Sequence, residues 1–399
     1  MKAKEKLYMH LQTMDVVELF GYINEVEMGY ISVNYHPEDS NLVIFNYTEL
    51  ATYEKRWNKY TMSARGLILD LTEARDNGII YILAKPFEKF PNYGTNEIEG
   101  YEDDIDFTKI KTIMEKMDGS LGISYFFNDE IRWATRGSFT SAQAKKATEI
   151  WREKYAVYFE NIKDSMYIYF PYTLLVEIIY PENRVVVDYN GFEDLVLLGA
   201  NDIYRDDIEV QFQPSEWSYT SLQHYATDLD MPIAKQYEFT IEQMLEMKKT
   251  ISANEEGWII RFENGKRLKI KGDEYLQVHR VIHGLSDKAK VQAWAEQRMN
   301  EYIMILPEEF RGELEDLSDK LDRLKDSLYT LLQVTFEYVD SRSHDKKSFA
   351  LNVRDMVDAE FHYFMFDAKK KGSISTDKIR EYIYKNYREY IEVINSWIN

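Results

Sequence analysis

Residues 115–124 read EKMDGSLGIS, and how this stretch is read decides the rest. Asp-Gly between apolar, strand-like segments is a short-range hairpin signal, and on that reading Lys116 is an exposed strand residue. A hairpin accounts for the turn, but it needs no lysine two residues before it. The alternative is a nucleophilic lysine held at the end of a strand, where a phosphate can be attacked. K-x-D-G-S has four fixed letters and arises by chance in a chain of this length only about once in a few hundred sequences at average residue usage.

Working outward, the chain has 399 residues, enough for two or three domains that each bury a substantial core. It contains no cysteine, which removes disulfides, zinc-thiolate sites, iron–sulfur clusters and cysteine nucleophiles. The N-terminal MKAKEKLYMHLQTMDVVELF has no uninterrupted apolar run, and no stretch approaches the roughly 18 apolar residues of a membrane span. A soluble, cytoplasmic chain is expected. The formal charge of −20 opposes broad contact with phosphate backbones, yet a site needs only a focused positive cleft. The 31 tyrosines are expected mostly at the rims of cores, with a few available for stacking on bases.

From about residue 28 to 275, strand-like runs such as NLVIFNYT, ARGLILDLT, GIIYILAKPFEKF, LGISYFFNDEIRWATRGSF, TLLVEIIY, NRVVVDYN, DLVLLGANDI and EGWIIRFENGKRLKIKG are broken by turn residues. Helices interrupt them, with Ser141 and Thr240 as N-caps. Mostly antiparallel strands with helices outside predict an α+β domain over 1–284 rather than a doubly wound parallel sheet. From 285 to 399 the pattern is helical throughout. Phe310, Leu314, Leu317, Leu321, Leu324, Leu328 and Leu331 form one helix face, and a second amphipathic helix runs from about Thr376 to the end.

Several residues outside the opening stretch carry chemistry. Glu177, in LLVEIIYPENR, is a carboxylate inside an apolar strand, where an unpaired charge costs several kcal/mol; it calls for a partner. Glu256, in EEGWIIRF, is followed by a glycine that allows close backbone approach. Lys269 and Lys271, in RLKIKG, share one face of a strand. Together they suggest nucleotidyl transfer through a lysine. Desolvation or the neighbouring cations Lys269 and Lys271 would lower the pKa of Lys116, the same cations would hold the phosphate, and Glu177 and Glu256 would take a ribose hydroxyl or a divalent metal.

In these motifs the sequence resembles the covalent nucleotidyltransferases, the superfamily of ATP-dependent DNA ligases, RNA ligases and messenger RNA capping enzymes. KMDGSLG looks like motif I, LLVEIIYPENR and VVVDY like motifs III and IIIa, EEGWIIRF like motif IV and LKIKG like motif V. SARGLILD, KPFEKFPNYG, ATRGSF, IKGDEYLQVH and DKKSFALNV are most similar to RNA ligase 1, the bacteriophage tRNA-repair type. The resemblance implies an ATP-dependent RNA ligase that uses Mg2+. Lys116 would form the lysyl-adenylate, Lys269 and Lys271 would contact the α-phosphate, Glu177 the ribose, and Glu256 the metal and nucleotide. Arg65 and Lys89 would steer pyrophosphate, Glu115 and Arg136 would belong to the nucleotide site, and Tyr275 would support it. Two positions depart from the family pattern: Arg136, where lysine is expected, and Pro91, where an aromatic is expected.

The resemblance further implies RNA as substrate, a tRNA with a broken anticodon loop in particular, a polynucleotide kinase-phosphatase acting in the same pathway, and the cytoplasm of an infected bacterial host. A DNA ligase or capping enzyme is the nearest alternative; those usually append an OB-fold after motif V, whereas this chain turns helical. A non-catalytic RNA-binding module of the same fold is another. Residues 341–399 carry 11 Lys/Arg against 9 Asp/Glu. Within them Lys369, Lys370 and Lys371 read either as a solvated loop or as phosphate contacts to a structured RNA.

Overall fold

A computed structural model describes residues 7–158, 172–204, 216–306 and 308–396. They divide into two compact units, Met1–Tyr275 and Leu276–Asn399. The sequence reading draws the boundary later, at 284/285, because it follows the last strand-like pattern through the following helix. In the structure Tyr275, the third residue of the helix Asp273–His283, is among the last residues of the first unit.

The first unit is built on β1 (Thr13–Asp15), β2 (Ile31–Tyr35), β3 (Leu42–Tyr47), β4 (Arg65–Asp70), β5 (Ile79–Ala84), β6 (Ile110–Glu115), β7 (Ser120–Phe127), β8 (Glu130–Ala134), β9 (Tyr172–Ile179), β10 (Asp194–Asp202), β11 (Gln236–Tyr237), β12 (Gly257–Phe262) and β13 (Arg267–Lys271). Among the described residues they form three sheets, ordered β1-β5-β4-β3-β2, β10-β9-β7-β8 and β11-β6-β12-β13. Every strand pair is antiparallel. The fold class is therefore α+β, with helices packed outside the sheets.

Local chemistry explains the elements. β7 and β8 join through Asn128 and Asp129, both at positive φ (51° and 64°), the left-handed pair that a tight hairpin demands and that Asn and Asp tolerate. Ser141 caps the helix Ala142–Ile150 by accepting from the Ala144 N–H. Thr240 and Gln243 form a reciprocal capping box at the start of Ile241–Met247. In the third sheet Trp258, Ile260, Leu268 and Ile270 are buried in a core with Ile98, Tyr101 and Met244. The alternate residues Ile259, Arg261, Arg267, Lys269 and Lys271 line a cavity on the other face. Period-2 alternation thus puts the apolar set inside and the cations at the site.

Two local expectations are corrected. Asp118-Gly119 is no hairpin turn: β6 pairs with β11 and β12, while β7 pairs with β8 and β9, so the stretch crosses from one sheet to another. NRVVVDYN is no strand either, because the Val186 and Val187 N–H groups donate to the Asp118 carboxylate instead of to a neighbouring strand.

The second unit is helical, with helices Asp287–Ala295, Met299–Ile305, Glu308–Ser341, Lys346–Met356, His362–Lys371, Thr376–Lys385 and Tyr387–Ser396. The terminal pattern breaks at Asn386 into two helices rather than one. Lys369, Lys370 and Lys371 form the last turn of a helix capped by Gly372 at φ 89°, where cations complement the helix dipole; they are not in a loop. No helix among the described residues is long and apolar enough to cross a membrane.

Candidate active site

Lys116 directly follows β6, and its N–H donates to the Gly257 carbonyl at 2.9 Å. Gly257 sits opposite Lys271 on β13 with φ 134°; a Cβ there would lie 2.0 Å from the Ile270 carbonyl oxygen. Only glycine lets motif I, motif IV and motif V come this close. The neighbouring Glu256 side chain is 3% exposed, and two lysines meet its charge. Lys116 Nζ donates to Glu256 Oε2 at 2.6 Å, and Lys271 Nζ lies 2.7 Å from Oε1. The group touching the Lys116 ammonium is thus a carboxylate, not only the cations that the sequence led us to expect.

Around this triad lies a cavity of about 620 Å³, lined by Arg65, Lys89, Glu115, Lys116, Arg136 and Glu177 together with the cavity face of β12 and β13. Lys269 is the most perturbed cation: burial, with Lys89, Lys271 and Lys116 nearby, pulls its pKa down to about 7 against the opposing pull of Glu97. Burial and then the adjacent Arg136 lower Arg65 to about 10. Burial, with Glu256 and Asp118 nearby, pushes Glu177 up to about 8, partly offset by Lys116 and Arg65. Among the described residues the Glu177 side chain makes no hydrogen bond or ion pair, so the partner that its position calls for is electrostatic proximity alone. A carboxyl with its pKa near 8 is mostly protonated at neutral pH, and can donate to as well as accept from a hydroxyl.

The flanking groups are fixed by aromatic rings and backbone. Lys89 pairs with Glu97 at 3.2 Å and lies over Trp57. Arg136, exposed at the rim, donates to the Tyr47 hydroxyl at 2.9 Å, which keeps a planar cation at the position where lysine was expected. Pro91 accepts from the Lys269 N–H at 3.2 Å, fastening KPFEKFPN along β13 through its carbonyl. The Glu115 N–H donates to the Lys235 carbonyl at 2.8 Å.

The sequence reading names Asp118 only as a turn residue, but it organises the site. Its Oδ2 accepts from Val186 and Val187 N–H, each at 2.8 Å, and its Oδ1 from the Tyr275 hydroxyl at 2.8 Å. Tyr275 therefore supports the site from behind, and burial beside Glu256 and Asp118 raises its pKa strongly. Also missed is a trio of Arg261, Arg267 and Glu216 on the same cavity wall. The arginines three residues to either side of Asn264 were the available signal.

Among the described residues no three His, Cys, Asp or Glu converge as metal ligands. Both oxygens of Glu256 carry lysines and both of Asp118 carry N–H or O–H donors. The donor set does not fit a metal held by the protein alone.

A family model described as RNA ligase matches residues 63–275, more than half of the chain and all of the charged residues just placed around the cavity. The chain belongs to the RNA ligase family. It is similar to an RNA ligase of Rhodothermus phage RM378, 20% identical over 392 residues that cover 82% of this chain and 87% of that one. Among solved structures, this RNA ligase family member is similar to a putative ATP-dependent DNA ligase from Aquifex aeolicus (13% identity, TM-score 0.39, 75% of this chain and 69% of that one). It is also similar to an RNA ligase of Naegleria gruberi solved with ATP and Mn (19% identity, TM-score 0.33, 54% of this chain and 72% of that one).

Proposed function

We propose that the chain joins 5′-phosphate and 3′-hydroxyl RNA ends, using ATP, through a lysyl-adenylate on Lys116. The observation that carries this is the pairing of Lys116 and Lys271 with one buried carboxylate, Glu256, at the edge of a cavity walled by Lys269, Arg65 and Lys89. Lys116 nitrogen, as the free amine, attacks the α-phosphorus; an N–P bond forms, the bond to pyrophosphate breaks, and two of the ammonium's three protons are released, one before the attack and one after it. Lys269 and Lys271 meet the α-phosphate charge, Arg65, Lys89 and Arg136 the departing pyrophosphate, and Glu177 the ribose. A 5′-phosphate oxygen of RNA then attacks the adenylate phosphorus and frees the lysine. Finally the 3′-hydroxyl displaces AMP, losing its proton as the phosphodiester forms. Positioning and charge stabilisation dominate such transfers.

The Naegleria protein was solved with ATP and Mn, and a divalent ion, Mg2+ in the cell, suits this chain as a companion of the nucleotide's phosphates, since Mg2+ is commonly held by one or two carboxylates plus substrate oxygens. Glu256 becomes available to it only once a lysine lets go, and no step above is routed through it.

The natural substrate we propose is a tRNA broken in its anticodon loop, prepared by a kinase-phosphatase, in the cytoplasm of a phage-infected host. The helical unit, 276–399, would grip the RNA, with exposed Lys370 beside Lys369 and Lys371. Lys369 pairs with Asp340, an exposed pair of low cost to exchange for phosphate, and Lys371 lies 3.4 Å from Asp367, a carboxylate that also holds Lys378 at 2.7 Å. Replacing all three by alanine should weaken sealing of a nicked anticodon stem-loop much more than sealing of a short single strand, measured as initial rates on both. Equal losses would remove the tRNA role, and sealing of DNA ends in preference to RNA would remove the substrate class.

A further inference from the structure

Arg261 on β12 and Arg267 on β13 are register partners, directly across from each other on the cavity face. Arg261 lies 3.0 Å from Glu216 Oε1, and Arg267 is bonded to that same oxygen. The three side chains are 9%, 12% and 15% exposed, so water contributes little to balancing them. Two guanidinium groups against one carboxylate leave a net positive charge in a place where an uncompensated charge is costly. One carboxylate oxygen serving two arginines is also a poor geometric match, because a guanidinium fork prefers two acceptor oxygens of its own.

Further details point to an exchangeable occupant. Among the described residues Arg261 Nε is buried with no hydrogen-bond partner, and its Nη1 alone is used, toward Glu216 and, at 3.3 Å, the Trp217 carbonyl. The Arg267 guanidinium is laid over the Phe87 ring at 4.2 Å, which fixes its plane and leaves its edge for ligands. Arg267, Lys269 and Lys271 alternate along β13, so successive cations stand about 7 Å apart, close to the repeat of phosphates along an extended nucleotide chain.

We propose that Arg261 and Arg267 form a second phosphate subsite, held closed by the Glu216 carboxylate until a phosphate displaces it. A phosphate's several oxygens give each arginine its own acceptors and reach the unused Nε. The proposal rests on the nucleotidyl-transfer reading of the cavity and adds to it where a phosphate beyond the reacting one is seated. That phosphate belongs either to the tail of the nucleotide or to the 5′ end of the RNA strand.

The test uses the full chain, Arg267→Met and Glu216→Gln, each checked for its melting temperature. The probes are inorganic pyrophosphate, and a short RNA with a 5′-phosphate compared with the same RNA ending in a 5′-hydroxyl. We expect Arg267→Met to weaken one of these phosphates by roughly tenfold to a hundredfold, the worth of a charge-assisted contact, and Glu216→Gln to tighten the same one. A response to pyrophosphate assigns the subsite to the nucleotide tail; a response confined to the 5′-phosphorylated RNA assigns it to the strand end. If wild type binds neither probe, or both variants leave the affinities unchanged while shifting only the melting temperature, the trio is a structural ion cluster and the proposal falls. Binding with the expected pattern in a protein that forms no lysyl-adenylate would keep the subsite and remove the ligase reading.

Discussion

Asp118 ties together parts of the chain that are far apart in sequence: the Val186–Val187 segment, the Tyr275 hydroxyl and, through its own N–H, the Tyr189 hydroxyl at 2.8 Å. Replacing it with alanine strands buried donors, each worth about 1–3 kcal/mol when left unpaired. Asp118→Ala should therefore cost about 2–4 kcal/mol in urea unfolding, with the midpoint shift as the readout; a change within experimental error would mean that this hub is not formed. Lys269 carries a different prediction. Its pKa near 7 means that it is about half protonated in the free protein at neutral pH, and a bound phosphate favours the ammonium, so binding takes up a proton. Above pH 7 anion affinity should fall, by up to about tenfold per pH unit. Glu177, ionising near pH 8, adds a negative charge in the same direction. Pyrophosphate titrations over roughly two pH units, about 6.5 to 8.5, should show this slope in wild type and a shallower one in Lys269→Arg.

At the scale of elements, the motif-bearing strands were legible: β12 and β13 because alternation puts apolar residues on one face and the chemistry on the other, and β9 as an apolar run, buried on both faces, that Glu177 interrupts. What could not be read was which strand pairs with which. Asp118-Gly119 has the composition of a hairpin turn, but its carboxylate is spent on Val186 and Val187, which removes a predicted strand and turns the lysine stretch into a crossing between sheets. The long helix Glu308–Ser341 shows a second limit. Leu314 and Leu321 are fully buried as expected, but Leu331 is 57% exposed and Leu332 takes the buried place. A stripe extrapolated in steps of four and three drifts from the true helical repeat, whereas Leu332 lies 18 residues, five turns, after Leu314. Leu332→Ala should thus cost about 2–5 kcal/mol and Leu331→Ala less than about 0.5 kcal/mol, compared by thermal or urea unfolding. The reverse order would put the helix in the other phase.

For the molecule as a whole, the net charge of −20 and the cationic cavity are compatible because they act over different distances: salt screens exposed charges beyond about 8–10 Å, while a half-buried row of Lys271, Lys269 and Arg267 acts at contact. The sequence motifs, in order, located the residues of this cavity; they did not reveal that Glu256 holds Lys116 and Lys271 at once, because that contact joins residues 140 positions apart. Nor could they find Glu216, which no motif marks. The central claim is that Lys116 becomes covalently adenylylated, and the most direct measurement is incubation of wild type and Lys116→Ala with Mg2+ and α-labelled ATP, followed by denaturing electrophoresis. A labelled band in wild type and none in the variant is the predicted result. No label in a folded wild type freed of any prior adenylate, or equal label in both proteins, would contradict it.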